Sequence, residues 1–130
     1  METINRILQE KITARIAPNK AVLIFGARRV GKTVMMRKIV DSYPGRTMML
    51  NGEDYDTLAL LENRSVANYR HLLEGIDLLA IDEAQNIPQI GRILKLIVDE
   101  IPGISVLASG SSSFDLLNKT GEPLVGRSTQ

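Results

Sequence analysis

The sequence predicts an α/β domain in which a mainly parallel sheet lies between two layers of helices. Four short apolar runs are the predicted strands, at 21–25, 47–50, 76–81 and 104–108. They alternate with segments whose apolar residues recur at helical spacing. The run at 76–81 is nearly continuous, which is typical of strands covered on both faces in parallel sheets. Strands that alternate with helices favour right-handed crossovers, so the carboxyl ends of the strands should meet at one edge.

Length and composition limit the class of protein. The chain has 130 residues, the size of one domain, and we expect one unit over 1–130 with an N-terminal helix at 1–17 and a core at 18–127. A net charge of +1 gives no electrostatic indication of nucleic-acid binding. Cysteine is absent, which excludes disulfides and thiolate chemistry. No apolar run is long enough for a membrane span and the first residues are polar, so we expect no membrane partner and a cytoplasmic location.

The first half of the chain fits this plan element by element. Residues 3–16 place isoleucine and leucine at helical spacing, and Pro18 ends that helix before the first strand. Apolar residues at 34–40 form one side of a second helix. After the second strand, residues 55–75 predict two short helices, with Ser65 as the N-cap of the second.

The second half continues the alternation. Asn86, followed three residues later by Gln89, has capping-box spacing and predicts the start of a long amphipathic helix. Pro102 and the glycine after it end that helix. The fourth strand, at 104–108, leads into a run of serines, and a short helix is expected at 114–118.

A glycine-rich loop follows the first strand. The predicted phosphate-binding residues are Gly26, Ala27, Arg28, Arg29, Val30, Gly31, Lys32, Thr33 and Val34. Residues 26–33 fit the pattern G-x-x-x-x-G-K-[ST] at every fixed position, between a strand and a helix as that pattern requires. The glycines let backbone N–H groups approach a phosphate, Lys32 supplies charge toward the β- and γ-oxygens, and the Thr33 hydroxyl can ligate Mg²⁺. The sequence therefore predicts a nucleotide-binding loop, in which Arg28 and Arg29 occupy variable positions and are expected to be solvated.

A second motif ends the third strand. Four apolar residues at 78–81 precede Asp82 and Glu83, which fits the Walker B motif of P-loop NTPases. Asp82 would orient Mg²⁺, and Glu83 would polarise the attacking water. Many buried strands end in Asp, so this motif gains its weight from following the first one. The other interpretation of Glu83 is an acidic residue at the entry of a helix.

Four segments together resemble one family. Gly-Ala-Arg-Arg-Val-Gly-Lys-Thr at 26–33, Ile-Asp-Glu-Ala-Gln-Asn-Ile-Pro at 81–88, Ala-Ser-Gly-Ser-Ser-Ser-Phe-Asp-Leu-Leu at 108–117 and Leu-Val-Gly-Arg at 124–127 resemble the prokaryotic AAA-like ATPases with an uncharacterised C-terminal domain. The resemblance covers nearly the whole chain. It implies a three-layer P-loop NTPase fold of the AAA+/ASCE-like type.

The resemblance also implies roles for individual residues. Lys32 and Thr33 would bind phosphate and Mg²⁺, Asp82 would be the Mg²⁺ acid, and Glu83 the general base. Ser109 or Ser111 would sense the γ-phosphate at the end of the fourth strand; the family often has threonine at the position of Ser109. Asn51, which ends the second strand, lies where AAA+ proteins often keep a polar residue that restrains the catalytic glutamate.

Members of that family are longer than this chain. The resemblance therefore leads us to expect a fragment that lacks a further strand, the last of the sheet, and a C-terminal domain that would be its partner. An edge left open beside the first strand would favour self-association between copies. Arg127 would contact the phosphates of its own or a neighbouring subunit, or would simply be solvated.

The function that these motifs favour is binding of ATP with Mg²⁺ and its hydrolysis to ADP and phosphate. A GTPase is less favoured, because Asn118-Lys119-Thr120-Gly121 lacks the aspartate of the guanine-binding motif. A small-molecule kinase is less favoured because no arginine-rich lid is found. The alternative from another class is a nucleotide-dependent switch or DNA-associated regulatory module that binds ATP and hydrolyses little of it.

Overall fold

The computed structural model describes residues 2–25 and 30–110. The glycine-rich loop at 26–29 and the segment 111–130 lie outside the described residues, and so do the side chains of 2–6, 8, 25 and 30–32. The helix expected at 114–118 falls in the second of these segments.

Five α-helices, four strands and one 3₁₀ turn make up the described part of the chain. In order they are α1 (Glu2–Arg15), β1 (Lys20–Phe25), α2 (Val30–Ser42), β2 (Thr47–Asn51), α3 (Tyr55–Glu62), α4 (Val66–Leu72), β3 (Leu78–Asp82), the 3₁₀ turn (Ala84–Asn86), α5 (Ile90–Glu100) and β4 (Ser105–Gly110). Among these helices, none has the length and apolar character needed to cross a membrane.

The four strands form one parallel sheet in the order β1-β4-β3-β2. Ser105 at the start of β4 is in register with Lys20 of β1 on one side and Leu78 of β3 on the other. Thr47 starts β2 opposite the same Leu78. All four strands therefore begin at one edge and end at the other, which confirms the predicted α/β fold with a parallel sheet.

Helices cover both faces of the sheet. On one face, α4 and α5 pack their apolar residues on alternate strand positions; the largest buried side chains of this cluster are Leu23, Leu61, Tyr69, Leu73, Leu79, Ile81, Ile93, Leu94 and Ile97. On the other face, α1 and α2 cover the remaining positions through Ile12, Met36 and Ile39. This division of each strand between two cores explains why the strands are apolar at nearly every position.

The start of α5 differs from the sequence prediction. Asn86 is the last residue of the 3₁₀ turn and not the N-cap of the long helix, which begins at Ile90 after Gln89 in a left-handed conformation (φ 61°). The physical reason is Pro88. A residue before proline is disfavoured in the α region, and Ile87 is accordingly extended at φ −93°, ψ 120°. The helix therefore starts three residues later than the capping-box spacing suggested.

Two other local predictions can be compared with the structure. The N-cap at Ser65 is confirmed: its Oγ accepts a hydrogen bond from the backbone N–H of Asn68 at 3.1 Å. The strand expected over 104–108 is displaced and longer, since β4 runs through Ser109 and Gly110. Ser109 thus lies inside the sheet and not in the loop after it.

Asn19 connects the start of β1 to the end of α5. It has a left-handed backbone (φ 60°), and its Nδ2 donates to the carbonyls of Val98 at 2.8 Å and Ile101 at 2.9 Å. Its Oδ1 accepts from the N–H of Gly103 at 2.9 Å. The bond to Val98 satisfies a carbonyl that the end of a helix leaves without an intrahelical partner, and the other two hold the residues that follow α5.

Candidate functional site

Polar residues collect at the carboxyl edge of the two central strands. Asp82 is the last residue of β3, and Ser109 is the next-to-last residue of β4. The register pairs Ile81 with Ala108, which places Asp82 and Ser109 side by side in neighbouring strands. Their exposed fractions are 3% and 0%. A charged side chain this deeply buried must find hydrogen-bond donors.

Both oxygens of the Asp82 carboxylate accept hydrogen bonds. Thr33 Oγ1 donates to Oδ2 at 2.7 Å, and Ser109 Oγ donates to Oδ1 at 2.6 Å. The backbone N–H of Glu83 also donates to Oδ1, at 3.0 Å. Three donors therefore fix the carboxylate, and they come from α2, from β4 and from the turn after β3.

Thr33 reaches Asp82 from the first turn of α2. That helix begins at Val30, so Thr33 lies among its first four residues, whose backbone N–H groups have no partner within the helix. These groups and the helix dipole favour an anion at this end. The Thr33 hydroxyl is thus next to the Asp82 carboxylate and close to the partial positive charge at the start of α2.

Glu83 has an unusual backbone conformation. Its φ of 52° and ψ of 45° are left-handed, and its side chain is 6% exposed. The backbone of Glu83 lies against Gly52. The Gly52 N–H donates to the carbonyl of the preceding residue, Asp82, at 2.8 Å. A Cβ at position 52 would overlap the carbonyl oxygen of Glu83. The loop after β2 and the turn after β3 are therefore in direct backbone contact.

The Glu83 carboxylate accepts a hydrogen bond from a residue that the sequence analysis did not single out. Gln85 Nε2 donates to Glu83 Oε1 at 2.8 Å. Glu83 is the N-cap residue of the 3₁₀ turn that follows it, so it does stand at the entry of a helical turn, but its side chain makes no capping hydrogen bond there. The sequence shows a glutamine two residues after the glutamate. It does not show the left-handed backbone of Glu83, on which the contact between the two side chains depends.

Asn51 lies beside Asp82 but does not hold Glu83. It is in register with Asp82 across β2 and β3. Its Oδ1 accepts from the backbone N–H of Glu53 at 2.9 Å, within its own loop. Among the described residues, its side chain makes no hydrogen bond to Glu83. The restraint that the resemblance assigned to Asn51 is therefore not seen there.

A cleft opens beside the Thr33–Asp82 pair. Its volume is about 260 Å³, and its polar lining residues are Thr33, Arg37, Asn51, Asp54, Asp56, Thr57 and Asp82. Residues 2–25 and 30–110 contain no cluster of three or more His, Cys, Asp or Glu side chains that could hold a metal alone.

The structure brings four of the predicted site residues together: Thr33, Asp82, Glu83 and Ser109. Gly26, Ala27, Arg28, Arg29, Ser111 and Arg127 lie outside the described residues. Val30, Gly31 and Lys32 form the first turn of α2, with side chains also outside them, and the Val34 side chain is exposed.

Comparison with known proteins gives related sequences and a related fold. A family model described as "AAA domain" matches residues 18–130. Uncharacterised proteins of Mycobacterium tuberculosis and Mycobacterium bovis are each 33% identical over 108 residues, which cover 82% of this chain and 23% of theirs. An uncharacterised protein of Methanocaldococcus jannaschii is 26% identical over 125 residues, covering 94% of this chain and 28% of its own. The chain thus spans about a quarter of the length of these curated relatives.

The fold is also similar to that of a solved structure. A crystal structure of a DNA replication initiation factor matches with a TM-score of 0.57 over 94% of this chain and 43% of the other. The sequence identity is 13%, so the likeness concerns the arrangement of helices and strands.

Proposed function

This chain belongs to the AAA domain family, which carries a nucleotide-binding, ATPase-like function, and from that premise we propose that it binds ATP together with Mg²⁺ and hydrolyses it to ADP and phosphate. The observation that carries the proposal is the hydrogen-bonded set of Thr33, Asp82 and Ser109 at the carboxyl edge of the sheet. Ligands of open α/β sheets bind at this edge.

The residues at this edge fit Mg²⁺. Magnesium prefers oxygen ligands and is usually bound by one or two carboxylates together with substrate phosphates and water. Here a hydroxyl oxygen of Thr33 and a carboxylate oxygen of Asp82 lie 2.7 Å apart beside the cleft. When bound to a triphosphate, Mg²⁺ neutralises negative charge on the β- and γ-oxygens. Thr33 and Asp82 are the residues of this chain that would hold it.

The remaining residues prepare the hydrolytic step. Ser109 keeps one oxygen of Asp82 occupied, so the other is directed toward Thr33 and the cleft. Lys32 and the first N–H groups of α2 supply positive charge to the phosphates. Glu83 takes a proton from the attacking water as general base. Glu83 is buried, and electrostatic interactions are stronger in a buried environment than in bulk water.

Nucleotide binding can be tested by thermal unfolding with and without Mg²⁺·ATP. At a ligand concentration a hundred times its Kd the complex gains about 2.7 kcal/mol, which raises Tm by several degrees. Lys32→Ala should abolish the rise. Lys38→Ala is the matched control, because Lys38 is an exposed residue of the same helix and should leave the rise unchanged. An equal rise in Lys32→Ala would remove the glycine-rich loop from the proposal.

Hydrolysis is tested by phosphate release. Glu83→Gln keeps the shape of the side chain but cannot accept a proton, so it should retain ATP binding and lose turnover. Asp82→Ala should weaken the Mg²⁺-dependent part of binding as well. If the parent chain binds ATP and releases no phosphate, the hydrolytic part of the proposal fails and the switch-like alternative is favoured. Turnover by Glu83→Gln at the parental rate would place the base elsewhere.

A further inference from the structure

We propose that Gln85 is a positioning residue for Glu83: its side-chain amide holds the Glu83 carboxylate in the orientation needed to accept a proton from water. The proposal rests on the proposed function, because the orientation matters only if Glu83 is the base. It names a residue of the segment 81–88 to which the sequence analysis gave no role. The distance of 2.8 Å between Gln85 Nε2 and Glu83 Oε1 is its main support.

The chemistry of an amide suits this task. A carboxylate only accepts hydrogen bonds, so the nitrogen end of the glutamine must face it. A neutral donor fixes the direction of the carboxylate without adding a positive charge beside it. An arginine or lysine in the same place would favour the ionised form and make the carboxylate a weaker base. Gln85 therefore orients Glu83 through a donor that carries no charge of its own.

The backbone explains how residues two apart can meet. Glu83 is left-handed, and the 3₁₀ turn over Ala84–Asn86 follows at once. Asn86 N–H donates to the Glu83 carbonyl at 3.2 Å, which closes the turn and brings Gln85 back over Glu83. Gly52 supports the same peptide from the other side. In a regular helix, side chains two residues apart do not face each other.

The same restraint does not come from Asn51. Its amide oxygen is held by the backbone N–H of Glu53, which turns the side chain toward its own loop. Asp82 accepts from the hydroxyls of Thr33 and Ser109 and from a backbone N–H, whereas Glu83 accepts from the side-chain amide of Gln85. The two neighbouring acids are thus held by different partners and can be perturbed separately.

Steady-state kinetics of three variants test the role. Gln85→Ala should lower kcat about 10- to 100-fold, the loss expected for one hydrogen bond to a charged group, with KM and ATP affinity unchanged. Gln85→Glu keeps the size of the side chain but replaces the donor with a second carboxylate, so it should lose at least as much. Asn86→Ala is the control, because it removes an exposed amide from the same turn and should keep the parental kcat. Parental turnover in Gln85→Glu would overturn the proposal.

A double variant separates positioning from general disruption. If Gln85 acts through Glu83, adding Gln85→Ala to Glu83→Gln should lower the residual kcat no further. A second loss as large as the first would show that Gln85 acts independently, and would overturn the proposal.

A spectroscopic measurement distinguishes failure of this inference from failure of the proposed function. The side-chain amide signals of Gln85 are assigned by their disappearance in Gln85→Ala, and they should shift in Glu83→Ala, which removes the acceptor. Absence of phosphate release from the parent chain would refute the proposed function and the catalytic role together, while the amide shift would still decide whether the contact exists. Gln85 signals that are unchanged in Glu83→Ala would overturn the inference even in an active protein.

Discussion

The hydrogen bond from Ser109 to Asp82 should contribute measurably to folding stability. Ser109 Oγ lies 2.6 Å from Asp82 Oδ1, and both side chains are almost completely buried. Ser109→Ala removes the hydroxyl and leaves the oxygen of a buried carboxylate with one donor fewer. The backbone N–H of Glu83 remains within 3.0 Å of the same oxygen, so the charge is not left without a partner.

The expected magnitude follows from the type of bond. Hydrogen bonds to charged groups contribute about 1.5–3 kcal/mol, and the remaining donor places this case near the lower end, about 1.5–2 kcal/mol. For a chain of this size, 1 kcal/mol corresponds to roughly 3–5 °C in Tm. Ser109→Ala should therefore lower Tm by about 5–10 °C in the absence of nucleotide.

The same strand supplies a matched control. Ser105 is also buried in β4, but at its other end, where its Oγ accepts from the Tyr43 hydroxyl at 3.4 Å. That bond is long and neutral, so Ser105→Ala should cost less than about 1 kcal/mol. Thermal unfolding followed by circular dichroism measures both. Equal losses in the two variants would refute the reasoning, as would an undiminished loss from Ser109→Ala when Asp82→Asn is already present.

Three further predictions concern single positions. Asn19→Gly keeps the left-handed backbone but loses three hydrogen bonds to the last turn of α5 and the residues after it. The free energy of unfolding should therefore fall by about 1–3 kcal/mol in urea titration. Burial raises the pKa of Tyr69, whose hydroxyl donates to the Leu61 carbonyl at 2.9 Å. The contribution of Tyr69 to the free energy of unfolding is therefore fully present below the unfolded-state pKa of about 10, and it is lost as pH rises through the folded-state pKa. Tyr69→Phe should reduce this alkaline loss. Gly52→Ala should lower both stability and ATP turnover, because its Cβ would overlap Glu83.

Controls for the first two use residues of the same type. Asn19→Ala loses the same bonds and adds left-handed strain of about 1–2 kcal/mol, so it should be less stable than Asn19→Gly. If the two are equally stable, the backbone at position 19 is not constrained as described. Tyr55→Phe changes a tyrosine that is 86% exposed and should leave the alkaline unfolding profile as it is in the parent. A Tyr69→Phe profile parallel to that of the parent would contradict the role given to Tyr69.

Local patterns in the sequence determine most of the fold. Each strand is an apolar run because both of its faces are covered, and that property needs no knowledge of the partner strands. The positions of Thr33 and Asp82 follow from the same logic. Asp82 ends β3, and Thr33 lies in the first turn of the helix that follows β1; parallel strands bring such ends together. The proximity of Thr33 and Asp82, which the hydrogen bond between them reflects, could therefore be predicted from the sequence.

What the sequence could not indicate depends on contacts between distant segments. The Gln85–Glu83 bond requires a left-handed residue at 83, a conformation that a glutamate rarely adopts. Gly52, about thirty residues earlier, permits that turn by leaving space for its carbonyl. The late start of α5 is a different kind of miss. The sequence contains Pro88, and the restriction that this proline places on Ile87 outweighs the capping-box spacing of Asn86.

Gly52 and Gly103 show two different reasons for which a position requires glycine. The φ of Gly52 is not left-handed, so the requirement is space: a Cβ there would overlap the Glu83 carbonyl oxygen. Gly103 has the opposite property, with φ at 81° and nothing within 4 Å of a Cβ. Gly103→Ala should therefore cost about 1–2 kcal/mol of backbone strain and keep the parental ATP turnover. In Gly52→Ala the Glu83 peptide or the loop after β2 must move, so turnover should fall even at temperatures where the variant remains folded. Equal turnover in the two folded variants would mean that the position of the Glu83 backbone is not critical for hydrolysis.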